Sequence, residues 1–567
     1  MKFLRYLFTT LFSLLLWTPS DLTSQDRLSG KLFATRSEVI AKNGMAATNH
    51  PIAGQIALDI LKQGGTAADA AIAANAFLGF ADPAMNGLGG DMFAIVWSAE
   101  DQKLYGLNAS GKSPAGMEAG FFRENGINSI PPASPYAVTV PGVVDGWFEL
   151  NQRFGRLNME QVLAPTISYA RDGIAITPET ADLMDYLDRD LLGGYGLPDD
   201  FDWSDLGYFS SLYRPDGEFL NRGDHFRNED LAGSLERIAE GGREAFYEGE
   251  IAETIVSHLQ ELGGLMTMDD FARHSSVWVD PVSVNYRGYD VWELPPNVQG
   301  MSVLQILNIL EGYGLAEYGF GSPEHVHYFT EAKKLAYADL ATYYGDPEFS
   351  DLPTEELLSK EYAGRRRADI DDNRAGSYGP GLEGENHTIY LTVADGDGNM
   401  LSLIQSNSWL FGSLITPPGL GFPLQNRGTG FTLEEGHVNS YAPGKRPFHT
   451  IIPAFITKDG EPHVSFGLTG GDMQPQGHVQ IVMNLVDFGM NIQEAGDAPR
   501  IRHYGSGEGS VALESGFEYE TVRELLKMGH TVQYGFESFG GYQGILFDGT
   551  FYHGGSESRK DGQAVGY

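Results

Sequence analysis

Cysteine is absent from all 567 residues. Disulfides, zinc–thiolate sites, iron–sulfur clusters and a cysteine nucleophile are therefore excluded. Positive charge is scarce: 38 Lys and Arg stand against 76 Asp and Glu, a net charge of −38. A surface of that sign repels phosphate backbones and anionic bilayers, so nucleic acid is not an expected partner. The acidic residues are spread along the chain and read as a strongly hydrated surface rather than as a statement about substrate. Long apolar runs are also lacking. The exception is residues 1–24, where Lys2 and Arg5 precede an apolar stretch from Tyr6 to Trp17 that is too short to span a bilayer as a helix. It reads as a secretory signal peptide with small residues near the cut at Ser20 or Ser24, giving a periplasmic or secreted protein with no membrane contact after its removal.

What is present is an apolar fraction of 42%, ample for a core, in a chain long enough for two or more domains or one large layered one. Ile52, Ile56 and Ile60 recur at helical spacing and are stopped by Gly64-Gly65. Thr66 with Asp69 forms a capping-box-like start to a second helix, Ala67 to Phe77, small and apolar all round and hence buried. Asn86-Gly87-Leu88-Gly89-Gly90-Asp91 lacks the Gly-x-Gly-x-x-Gly spacing and is a tight turn before a strand from Met92 to Trp97. A strand-like run from Ala137 breaks at Pro141-Gly142. Residues 187–228, rich in Gly, Asp, Tyr and Pro, read as an exposed excursion or lid. A single strand is expected over Tyr286–Leu294, helices over Met301–Leu310 and His325–Tyr344, strands over Ile451–Thr457 and His463–Leu468, and a helix from about Gln476 to Phe488.

His325 and His327 flank Val326, but no acidic or third histidine ligand stands at helical spacing to complete a metal site, and Glu331, Lys333 and Asp339 suit ion pairing better. No metal or organic cofactor is expected. Residues 364–386 mix Arg, Asp, Gly and Pro and read as a flexible lead-in suited to being cut.

That lead-in ends at Thr388. Ile389, Leu391 and Val393 alternate with Thr388, Tyr390 and Thr392, the pattern of a half-buried strand. Asp395 to Asn399 is turn chemistry and a second apolar run follows from Met400 to Ser406. With the turn centred on Asp397, Thr388 falls opposite Ser406, with Cβ atoms roughly 5 Å apart, so that one hydroxyl orients the other.

Taken in order, Gly64-Gly65-Thr66-Ala67-Ala68-Asp69-Ala70-Ala71, Val140-Pro141-Gly142, Leu163-Ala164-Pro165, Glu331-Ala332-Lys333, Ala336-Tyr337-Ala338-Asp339, Gly345-Asp346-Pro347, Lys445-Arg446-Pro447, Ala498-Pro499-Arg500 and Gly566-Tyr567 resemble the gamma-glutamyltranspeptidase family of N-terminal-nucleophile hydrolases, from about Gly44 to the C-terminus. The resemblance implies an α+β fold, the four-layer αββα sandwich. It implies a precursor that cuts itself at His387-Thr388 into segments 25–387 and 388–567, which stay together as a heterodimer. Thr388 would be the nucleophile and its freed α-amine the base, since that amine titrates near neutrality. Ser406 matches the supporting hydroxyl and Gly470 and Gly471 match the oxyanion hole. The implied activity is a self-processing threonine amidohydrolase or acyltransferase that cleaves γ-glutamyl amides such as glutathione, the acyl group passing to water or to an amino acid or peptide acceptor.

The chain departs from the family on the recognition side. The small segment opens Thr388-Ile389-Tyr390 rather than Thr-Thr-His. The arginine expected near residue 110 is missing from Asn108-Ala109-Ser110-Gly111-Lys112, leaving Lys112 as the nearby cation without a planar fork. The family's Asn-Gln-x-x-Asp appears as Asn426-Arg427-Gly428-Thr429-Gly430, and its serine pair as His449-Thr450. Lys112, Asn407, Arg427, His449 and Thr450 are the candidate substrate-binding residues. An alternative acyl group without the α-amine, of glutaryl type, follows from the lost carboxylate. The rival of another class is a binding protein that keeps the fold without turnover.

Overall fold

The computed structural model describes residues 30–378, 387–505, 509–535 and 539–567. Segment 1–24 and the last part of the lead-in to Thr388, residues 379–386, lie outside the described residues.

Two seven-stranded sheets organise the chain. Edge to edge, the first runs Gln563–Gly566, Met45–Thr48, His387–Ala394, Met400–Ser408, Asp91–Ser98, Lys103–Ala109 and Val277–Val279. The second runs Val39–Ala41, Tyr552–Ser556, Tyr542–Phe547, Glu461–Leu468, Ala454–Lys458, Tyr289–Glu293 and Val282–Tyr286. Strand His387–Ala394 is thus flanked on both sides, pairing antiparallel with Met400–Ser408 and with Met45–Thr48.

The strand is buried on both faces, not on one as its alternation indicates. Ile389, Leu391 and Val393 join a cluster with Ala70, Ala71, Ala74 and Phe77 of helix Ala67–Ala81, each side chain contributing about 1.5–3 kcal/mol by leaving water. The polar face turns to the second sheet instead of to solvent. Thr392 Oγ1 and Ser465 Oγ meet across the sheets at 2.6 Å, and Tyr390 Oη bonds Ser402 Oγ at 2.8 Å. Each buried hydroxyl therefore has a partner, which is what makes a threonine-rich face tolerable there.

Helix Ala67–Ala81 starts where the capping signal places it, with Thr66 Oγ1 accepting from Asp69 N and Asp69 Oδ2 from Thr66 N. Helices Pro51–Lys62, Gly300–Leu310 and Pro323–Tyr343 also match their signals. Other expectations are corrected. Val138–Val140 is no strand, and a helix, Val143–Phe154, begins right after Gly142. The strand expected over Tyr286–Leu294 is present as Tyr289–Glu293, while Tyr286 closes a preceding strand, Val282–Tyr286, that was not expected; the two form a hairpin turning at Arg287 and Gly288, both in the left-handed region. Residues 187–228 are not an exposed lid, because Trp203, Phe209, Tyr213 and Phe219 pack among themselves and against Phe411. As far as residue 378 the lead-in is pinned rather than slack: Glu331 accepts from Gly376 N and Tyr378 Oη, each at 2.8 Å.

Candidate active site

Thr388 lies at a β-bulge. Ile389 pairs with Gln405 and His387 with Ser408, so two residues, Ser406 and Asn407, stand across from Thr388 alone. The register expected from the turn centre therefore holds up to Ser406, with Asn407 inserted beside it. Ser406 Oγ accepts from Ser408 N at 2.8 Å, and Ser408, Phe411 and Leu414 all take positive φ within seven residues. Backbone strain of about 1–3 kcal/mol per such residue concentrates where the hairpin leaves Thr388.

Thr388 is fully buried, and its hydroxyl oxygen accepts from Gln474 Nε2 at 3.4 Å. Gln474 sits in the first turn of helix Met473–Val486, and its Oε1 accepts from Ile452 N at 2.9 Å. The turn before that helix is Gly470-Gly471, with φ of 110° and 59°. A Cβ on Gly470 would stand 3.1 Å from Gly540 Cα, so only glycine fits the approach. Neither glycine's N–H has a protein acceptor among the described residues. Gln299 Nε2 fixes the other side of the turn, donating to the carbonyls of Gly471, at 2.8 Å, and Thr450.

Two cavities meet at this point. The larger, about 810 Å³, is lined by Thr388, Gly470, Phe539 and Met85, with Glu179, Tyr186 and Lys560 on its outer wall. The smaller, about 180 Å³, is lined by Ser408, Trp409, Arg427, Thr450, Gln299 and Asp472. Arg502 of the first and Asp472 of the second join at 2.6 Å, so an ion pair separates them.

Arg427 is 2% exposed. Its Nη1 donates to Thr450 Oγ1 at 3.3 Å, whereas Nε and Nη2 have no partner among the described residues. Burial lowers its pKa to about 10, opposed by Asp91, so it stays charged at neutral pH. Behind it, His449 Nε2 meets Asp91 Oδ2 at 3.0 Å and Nδ1 meets the Pro447 carbonyl at 2.8 Å. Burial holds the His449 pKa below the ordinary histidine value against the Asp91 hydrogen bond. Asp91 Oδ1 also accepts from Gly111 N and Gly142 N.

The structure sets Thr388 at the bulge with Ser406 and Asn407 and in one cavity with Gly470, whereas Gly471, Thr450 and Arg427 are linked to one another through Gln299 and the Thr450 hydroxyl. His449 backs this wall rather than lining either cavity. Asn407 is fully buried with neither amide atom partnered among the described residues. Lys112 does not join the group: its ammonium bonds Glu348 at 2.7 Å on the outer surface, and it lines neither cavity. Ser110, where a binding arginine was sought, instead bonds Asn108 Oδ1 inside the protein. Sequence reasoning missed Asp91, Gln299, Asn297 and Gln474. Asp91 carried one signal, its place at the end of a glycine turn; the others are glutamines and an asparagine whose partners lie far off in sequence.

His327 and Glu331, one helical turn apart, meet His530 with ligand atoms within 4.8 Å of one another. Glu331 is therefore an acidic donor at helical spacing to His327, contrary to the expectation that none stands there, and the third donor, His530, arrives from a distant segment. Their hydrogen bonds are already taken up: His327 bridges His530 and the Asp371 carbonyl, and Glu331 pairs with Lys334 at 2.8 Å. The expected ion pair at Glu331 is present.

The chain is 37% identical over 547 residues to the Glutathione hydrolase-like YwrD proenzyme of Bacillus subtilis (strain 168), covering 93% of this chain and 99% of that protein. It is 34% identical over 536 residues to the Acylase ACY 1 proenzyme of Pseudomonas sp. (strain V22), covering 92% and 93%. The crystal structure of cephalosporin acylase from Bacillus halodurans superposes with a TM-score of 0.88 at 40% identity, covering 96% and 99%. The sequence profile described as Gamma-glutamyltranspeptidase matches residues 53–567, and the chain belongs to that family.

Proposed function

We propose that the protein is a secreted or periplasmic, self-processing amidohydrolase that transfers an acyl group from an amide to Thr388 and then to water or an amine. The observation that carries this reading is the bulge that sets a buried Thr388 across from Ser406, hydrogen-bonded to Gln474 and sharing a cavity with Gly470. We read the two sheets, with helices on their outer faces, as the four-layer αββα sandwich. The proenzyme names of the relatives support a precursor cut at His387-Thr388 into a 25–387 and a 388–567 fragment that stay associated.

In turnover the freed α-amine of Thr388 takes the hydroxyl proton while Oγ attacks the carbonyl carbon. The resulting oxyanion faces the N–H groups of Gly470 and Gly471. The leaving amine departs with the proton, giving an ester on Thr388. Water, activated by the same amine, attacks that ester, releases the acid and restores the hydroxyl. The acyl group carries a carboxylate: γ-glutamyl, as in glutathione, or an acyl group without the α-amine, which the acylases among the relatives favour.

A denaturing gel of purified protein and of Thr388→Ala tests the reading. Wild type runs as two fragments and turns over γ-glutamyl or glutaryl anilides; Thr388→Ala stays one uncut band and is inactive. Turnover by Thr388→Ala equal to wild type would remove the mechanism, and an intact, inactive wild-type band would support the binding protein.

A further inference from the structure

The small cavity holds a cation that the rest of the protein does not satisfy. Arg427 is 2% exposed, and two of its three nitrogens find no acceptor among the described residues. Leaving guanidinium N–H groups buried and unpaired costs several kcal/mol, a cost that proteins avoid unless a ligand completes the set. The remaining side chains around the cavity offer hydroxyls, amides and rings, with one carboxylate, Asp472, already paired with Arg502 at 2.6 Å. The cavity is therefore net positive, with no free acid to receive an ammonium.

Its position is set by two independent tethers. Asn426 N donates to the Asn407 carbonyl at 3.2 Å, placing Arg427 one residue beyond a contact with the bulge. From the other side, Arg427 holds Thr450, Thr450 shares Gln299 with Gly471, and Ile452 shares Gln474 with Thr388. The cavity's own wall reaches Ser408, the residue paired with His387 across the bond to be cut. At about 180 Å³ it lies below the roughly 300 Å³ where drug-sized pockets begin, whereas the adjoining 810 Å³ cavity lies within that range. The small side thus suits the acyl group and the large side the departing amine.

Resting on the Thr388 reading above, we propose that Arg427 is the seat of the acyl donor's distal carboxylate, bound in the fork geometry through Nε and Nη2, and that the preferred donor is the half-amide of a short dicarboxylic acid with no α-ammonium. A γ-glutamyl group brings the same carboxylate but also a second cation beside Arg427, whose charge is opposed by Asp91, a residue that lines neither cavity. Such a donor is disfavoured by repulsion and by the lack of an acceptor for its N–H groups.

The test compares three anilides, glutaryl (carboxylate alone), γ-glutamyl (carboxylate and ammonium) and butyryl (neither), with wild type, Arg427→Gln and Thr388→Ala. Wild type should prefer glutaryl over butyryl by about 10²-fold in kcat/KM, the worth of the charged bidentate pair, and should also prefer it over γ-glutamyl, whose ammonium meets Arg427. Arg427→Gln should still cut itself and lose about 10²-fold on glutaryl, mainly through KM, so that the ratio of glutaryl to butyryl turnover collapses. Glutarate, glutamate and butyrate as inhibitors of wild type give a second readout that needs no variant, with glutarate expected to bind tightest. Equal turnover of glutaryl and butyryl anilides by wild type, or an unchanged glutaryl KM in a self-cleaved Arg427→Gln, overturns the assignment, and so does γ-glutamyl turnover matching glutaryl. Activity in Thr388→Ala overturns instead the nucleophile reading on which it rests.

Discussion

The two walls of the site are built in different ways. The nucleophile wall is local: Thr388 and Ser406 belong to one hairpin, and Gly470, Gly471 and Gln474 to one turn and the helix it opens. The recognition wall is assembled from distant segments, with Asp91, Asn297, Gln299, Arg427 and His449-Thr450 meeting only in the folded chain. In the first, backbone geometry does the placing and single atoms decide the outcome. In the second, buried charges and amides hold one another, so that removing one member affects stability as well as binding. The two walls should therefore answer differently to substitution.

The largest effect is expected at Gly470. An added methyl would stand 3.1 Å from Gly540 Cα in a backbone at φ 110°, so Gly470→Ala displaces the N–H proposed to face the oxyanion. A loss of about 10²–10³ in kcat is expected for one such donor, with the melting temperature shifted by a few degrees at most. Steady-state kinetics alongside a thermal melt checks it, and a wild-type kcat would show that the turn has no part in turnover.

Asp91→Asn probes the other wall. It keeps shape but removes the negative charge facing Arg427 and one partner of His449. Breaking a buried charge set in this way costs about 3–5 kcal/mol, read as a lower urea midpoint with unchanged slope. Should Asp91→Asn instead leave stability untouched and abolish turnover alone, the contrast between the walls would collapse.

This contrast also explains what could be read from the sequence. Thr388 and Ser406 were legible because a hairpin turn fixes register by counting, and the Asp395–Asn399 turn leaves little freedom. The helix at Ala67 was legible because Thr66 and Asp69 are three residues apart. Lys112 misled because closeness along the chain to the expected arginine position is no guide to where a long side chain ends, here at Glu348 on the surface. Asp91 was hidden as the last residue of a glycine turn, its partner His449 lying 358 residues away. The polar text of 187–228 concealed an aromatic cluster, since a few rings at irregular spacing produce no period. The hairpin at Val282–Glu293 was hidden by Arg287-Gly288, which is not one of the usual Asn-Gly or Asp-Gly turns.

A smaller effect is expected at Gln474, the residue that touches Thr388 without being part of the reaction. Gln474→Ala frees both the threonine hydroxyl and Ile452 N, and should lower kcat about tenfold, the worth of about one such hydrogen bond. Gln474→Glu retains an acceptor for Ile452 N but no donor for Thr388, so it separates the two contacts. Equal rates for all three proteins would leave Gln474 a helix residue and no more.

The smallest effect concerns the outer wall of the large cavity, where Glu179 and Lys560 pair beside the buried Asp82. Burial, reinforced by Glu179, raises the Asp82 pKa from 3.8 to about 8. The folded chain therefore keeps a proton that the unfolded chain gives up near 3.8. Its stabilising contribution is complete below pH 3.8, falls as pH rises toward 8 and is gone above it. His50 runs the other way, burial lowering its pKa to about 4, so its contribution is lost as pH falls from 6.5 to 4. The Asp82 part is isolated by subtraction. Relative to wild type, Asp82→Asn should gain stability steadily from pH 5 to pH 8, because the amide never has to carry charge. Melting curves for the two proteins that stay parallel across this range would place the proton elsewhere and leave this wall a plain ion pair, structurally closer to the nucleophile side than to the charged one.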